Sequence, residues 1–142
     1  MFPAVSPAGV DSAPGFSRAT VARILGVEPA ELRRWERVLH NLAGLELGAT
    51  LTLADLVGLA VLGVSVRCLA SGADAFAVGH AGVFDALRER ADIEGLDGYV
   101  ALVGHDSARI AERYDSENCA ADDFLVVPLR PILADFRDRV FA

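Results

Sequence analysis

Apolar residues recur at helical spacing through the first half of the chain and gather into strand-like runs in the second. Ala19, Ala22, Ile24 and Leu25 follow Ser17, a residue suited to capping a helix start, and precede Gly26, which can end the helix in the left-handed conformation. Pro29 fits the first position of a second helix. Leu32, Trp35, Leu39 and Leu42 form its apolar stripe. Arg33, Arg34, Arg37 and Asn41 lie off that stripe. Trp35 therefore reads as a core residue. Gly44 and Gly48 break the pattern around Leu45 and Leu47, which predicts a short hairpin or wing.

A third helix is expected from Thr52, with Asp55 in its first turn and Leu53, Leu56, Val57, Ala60 and Val61 on its buried side. Two readings of its end stay open. Gly63 can stop it, with Ser65 capping a short fourth helix, or one helix can continue through both. Asp74 to Arg90 reads as a further helix carrying Phe76, Val83, Phe84 and Leu87, weakened by Gly79 and Gly82. Beyond the Gly95–Gly98 turn, Tyr99 to Val103 and Phe124 to Val127 are β-prone, and Ile110 to Tyr114 is a strand or a helical turn. Ile132 to Phe141 reads as a terminal amphipathic helix with Leu133, Phe136 and Val140 on one side. The expected fold class is α+β, mainly α.

Composition supports a folded chain. Of 142 residues, 53% are hydrophobic, enough to bury a core. The longest uncharged apolar run, Leu56 to Val66, falls well short of the roughly 20 residues that span a membrane. Met1 to Phe16 carries three prolines and no basic residue, which argues for a flexible leader over residues 1–15 and against a signal peptide. Two cysteines, Cys68 and Cys119, are too few for a disulfide framework, so a cytoplasmic location is expected.

The net charge of −7 is unevenly placed. Residues 1–67 balance six arginines against six acids, whereas residues 68–142 hold seven arginines and fourteen acids. A nucleic-acid surface therefore belongs to the first half, and the second half should repel phosphate.

The segment from Phe16 to Glu36 carries an aromatic residue, a helix with the small Ala22, Gly26-Val27 in a turn, and then Leu32-Arg33-Arg34-Trp35-Glu36. This resembles the opening of MerR-type winged helix-turn-helix domains, and Leu53-Ala-Asp55-Leu56 resembles the segment that follows the wing in that family. The resemblance covers about 55 residues, roughly Phe16 to Ala70. It implies a recognition helix near Pro29–Leu42, buried on one face and entering the major groove with the other. Arg33 and Arg37 lie one turn apart for base or phosphate contact. Arg34, together with Arg18 and Arg23 of the first helix, completes the expected DNA-binding set. This sequence departs from the family in three ways. Residues 41–52 contain no basic residue to reach the minor groove, Glu28 and Glu31 open the recognition helix, and no long coiled-coil helix follows residue 70.

Other candidate chemistry is sparse. The cysteines and His40, His80 and His105 lack metal-ligand spacing. His105-Asp106-Ser107 holds catalytic residue types, but neighbours in sequence rarely converge on one reacting atom. Gly79-His80-Ala81-Gly82 lacks the phosphate-loop lysine. No catalytic residue, metal or cofactor is expected, and the chain is not read as an enzyme.

The organisation expected is a leader at 1–15, a MerR-like winged helix-turn-helix at 16–71, and an acidic α/β region at 72–142 for oligomerisation or partner binding. The function expected is a sequence-specific DNA-binding transcriptional regulator, of the kind phages and mobile elements carry, that pairs double-stranded DNA with a homodimer. Phe124, Leu133, Phe136 and Val140 are expected near the dimer contact. The alternatives are a protein-interaction module whose acidic half binds a polymerase or a toxin, and a DNA-packaging small subunit.

Overall fold

The structure is a computed structural model that describes residues 15–68, 77–90, 92–112 and 125–139. Helix α1 (Arg18–Leu25) and helix α2 (Pro29–Ala43) open it. Ser17 caps α1, its hydroxyl accepting from the Thr20 N–H at 3.2 Å. Gly26 ends α1 at φ +71°, where a side chain would be strained, and Val27 N–H closes back on the Ala22 carbonyl. Pro29 begins α2 and Gly44 ends it, again in the left-handed region. Leu32, Trp35 and Leu39 are buried as their spacing predicts. Leu42 is not: it lies in the last turn of α2 and is 51% exposed.

Residues 44–50 form no strand, so no independent hairpin stands where a wing was expected. Instead Phe16 and Leu51 exchange two backbone hydrogen bonds in a single antiparallel bridge. Leu51 is fully buried there, and Leu45 and Leu47 pack partly buried on the same core.

Helix α3 (Leu53–Cys68) is one continuous helix, which settles the open question at Gly63. Thr52 and Asp55 cap it reciprocally. The Thr52 hydroxyl accepts from Asp55 N–H, and the Asp55 carboxylate accepts from Thr52 N–H. Asp55 is 3% exposed and also takes Arg88 Nη2 at 2.8 Å. Ser65 caps nothing. Its hydroxyl donates to the Val61 carbonyl and meets His80 Nε2 at 2.8 Å in the interior.

Helix α4 (Ala77–Arg88) packs against α2, α3 and a small antiparallel sheet. The sheet has β1 (Val100–Val103) in the centre, β2 (Ala108–Ala111) on one edge and β3 (Leu125–Pro128) on the other, in the order β2-β1-β3. Pro128, which can donate to no ladder, sits on an edge strand opposite Val100. Gly79 and Gly82 have a packing role. A Cβ at Gly79 would collide with the Gly104 carbonyl oxygen, and one at Gly82 would lie 3.1 Å from Ala108 N. The missing side chains let α4 approach the β1–β2 turn. His105 and Asp106 are exposed in that turn, closed by Gly104 N–H on the Ser107 carbonyl.

Helix α5 (Arg130–Arg139) closes the fold by packing on α3. Leu133 and Phe136 are buried inside the chain by this contact, so they are not free for the dimer surface expected of them. Phe124 and Val140, like Phe76 and Cys119, lie outside the described residues. So does the expected leader except for Gly15. One cluster of buried residues runs from Val21 to Phe136, so the neutral first half and the acidic second half share a core. The fold is α+β and mainly helical. No helix among the described residues is long and apolar enough to cross a membrane.

Candidate nucleic-acid interface

The turn between α1 and α2 is three residues long, Gly26 to Glu28, and it sets the two helices as a compact pair. Their inner faces are locked. Val21, Ala22 and Ile24 of α1 and Leu32, Trp35 and Leu39 of α2 enter the common core. The outer face of α2 is therefore held in a fixed position by packing and carries its charge into solvent.

Arg33 and Arg37 are exposed on that face, one turn apart. Among the described residues neither meets a carboxylate. Arg34 is also exposed, but its Nη2 pairs with Glu31 at 3.2 Å, one turn earlier on the same helix. This pair partly neutralises Glu31, one of the two acids at the start of α2. Arg23 is exposed in the last turn of α1, where a cation also suits the negative helix end.

Arg18 differs from the other four. Its guanidinium is turned inward, with Nε and Nη2 on the Glu36 carboxylate and Nη1 on the Ala49 carbonyl at 3.0 Å. Nη2 also approaches the Leu47 carbonyl at 3.4 Å. Hydrogen bonding to Glu36 raises the Arg18 pKa above its ordinary value, against the opposing pull of partial burial. The group is thus a permanent cation whose donors are committed inside the protein. It ties α1, α2 and the 44–50 segment together. Glu36, the last residue of the Leu32-Arg33-Arg34-Trp35-Glu36 segment, is the receiving end of this clasp.

Trp35 is 5% exposed, and its buried indole Nε1–H has no acceptor among the described residues. Such an omission costs roughly 1–3 kcal/mol. The ring's far edge lies against Gly63 of α3, where an added Cβ would come within 3.2 Å of Cη2. Gly63 is thus the residue that admits the indole.

Among the described residues no group of three His, Cys, Asp or Glu side chains could hold an ion. No family model, no curated protein and no solved structure matches the chain.

Proposed function

We propose that the chain binds double-stranded DNA through α2, as a sequence-specific regulator built on a MerR-like helix-turn-helix. One observation carries the reading. Arg33 and Arg37, which meet no carboxylate among the described residues, stand one turn apart on the exposed face of a helix whose opposite face is fixed in the core by Leu32, Trp35 and Leu39. A groove-reading helix has these two requirements: a rigid mount and free donors in register with the base edges or phosphates. Arg23 and Arg34 supply further positive charge at the margins. Arg18 acts here as a positioning residue through Glu36, not as a contact. The short turn and the sequence pattern from Phe16 to Glu36 support the same reading.

A second copy would supply the affinity that one small helix-turn-helix lacks. In this reading the two copies meet through surfaces other than the buried side of α5.

The test is selection of bound duplexes from a random pool, followed by a salt titration of the selected site. Loss of two phosphate contacts should flatten the slope of log K against log salt by about 1.8. The Arg33→Ala/Arg37→Ala protein should therefore bind more weakly and with a shallower slope. An unchanged affinity and slope in a folded double variant, or a pool that yields no enriched sequence, would remove the reading.

A further inference from the structure

A cavity of about 320 Å³ lies where α2, α3 and α5 meet. This is at the small end of the range for ligand pockets, roughly 300–1,000 Å³. The side chains of Trp35, Leu59, Ile132 and Phe136 give it an apolar side, and polar groups line the rest. Two charged side chains complete the lining, Arg67 at the end of α3 and Asp135 on α5. They are not equivalent. Asp135 is bonded to Arg139 at 3.2 Å, so its charge is answered within its own helix. Arg67 is exposed and meets no carboxylate among the described residues. The cavity thus sets an apolar side next to a guanidinium that meets no carboxylate among the described residues.

Gly63 helps to keep the space clear. It lines the cavity between Trp35 and Arg67, and a Cβ there would lie 3.2 Å from the indole and 3.7 Å from Arg67 Nη1. The Trp35 wall also holds an indole N–H that has no acceptor among the described residues.

We infer that this cavity is a binding site for a small monocarboxylic acid, one with a single ring or a medium-length aliphatic chain. The apolar body fills the space between α3 and α5, and the carboxylate pairs with Arg67, whose planar fork matches two oxygens. Arg67 is the one cation among the described residues of the lining, so a second carboxylate would have no counter-charge there and would have to leave water for an apolar wall, which selects against dicarboxylates. The site stands apart from the DNA reading, since its occupancy is measured without nucleic acid.

Trp35 is the sole tryptophan and forms a wall of the site, so its fluorescence reports occupancy directly. The full chain is titrated with octanoate, phenylacetate, octanol and the dicarboxylate suberate. A saturable change is expected with at least one of the two monocarboxylates, and none with suberate at matching concentration. Arg67→Gln should weaken the monocarboxylate at least tenfold while leaving octanol within about twofold. Ala60→Leu, which fills the cavity without altering charge, should abolish the response at an unchanged circular dichroism spectrum. Absence of a saturable change with either monocarboxylate overturns the inference, as does equal affinity in the parent and Arg67→Gln or tighter binding of suberate.

Discussion

Arg18, in the first turn of α1, grips Glu36, in the middle of α2, with Nε and Nη2 between 2.8 and 3.1 Å from the carboxylate oxygens. The remaining amino group holds the Ala49 carbonyl. Removing the arginine leaves a mostly covered carboxylate and two carbonyls to find water. Arg18→Ala should cost about 1–3 kcal/mol in denaturant unfolding. On the proposed site DNA, the same variant should lose affinity with little change in salt slope if Arg18 stays on Glu36 and Ala49 in the complex. A slope change as large as that of an Arg33 variant would mean the clasp opens on binding.

Trp35 sits in the shared core rather than in a local one. Trp35→Ala should destabilise by about 3–5 kcal/mol, a large part of the total for a protein this size. Trp35→Phe removes the orphaned N–H along with some packing, so its cost should be under about 1.5 kcal/mol. Thermal melts followed by circular dichroism separate the two. Equal losses would show that the indole nitrogen has a partner in solution.

The glycines of the second half differ in what surrounds them. Gly79→Ala puts a methyl group into the backbone oxygen of Gly104, and neither α4 nor the β1–β2 turn can give way cheaply. A loss of at least 1–3 kcal/mol, roughly, is expected. Gly98 has nothing within 4 Å of an added Cβ. Gly98→Ala should stay within about 0.5 kcal/mol of the parent. Reversal of that order in paired melts would contradict the seating of α4 on the sheet.

Asp55 serves two partners, the start of its own helix and Arg88 of α4. Loss of a helix cap alone typically costs about 1 kcal/mol. Asp55→Ala should exceed that. In the background of Arg88→Ala it should cost less than in the parent, because the ion pair is already gone. A double-mutant cycle gives the coupling directly, and a coupling of zero would reduce Asp55 to a cap.

What could be read from the sequence was what neighbouring residues determine. Ser17, Gly26 and Pro29 mark helix ends through their own backbone chemistry, and Leu32, Trp35 and Leu39 mark a buried face through spacing alone. Leu42 fits the same spacing yet is exposed, because α2 reaches its end there and Gly44 turns the chain away. Gly63 and Ser65 resemble a helix stop and a cap, but their reasons lie across the interior. Gly63 admits the Trp35 ring, and Ser65 meets His80. Gly79 and Gly82 weaken a helix by propensity and are required by the turn packed against them. Arg18 had the exposure pattern of a surface cation. Its partner is eighteen residues away on another helix, a distance no local pattern spans. Arg67 and Asp135 carried no sequence signal, since only the docking of α5 brings them to one cavity.

At the other end of the chain, Arg139 places Nη1 2.6 Å from the Ile24 carbonyl, near the end of α1, across 115 positions of sequence. The carbonyls in the last turn of a helix have no partner within it. Here one of them is answered by the final turn of α5. During synthesis the ribosome would present the whole of α1 and α2 long before that guanidinium emerges. The paired helices therefore reach their finished form only after α5 has been made, and a product that stops short of it would leave the Ile24 carbonyl without this partner.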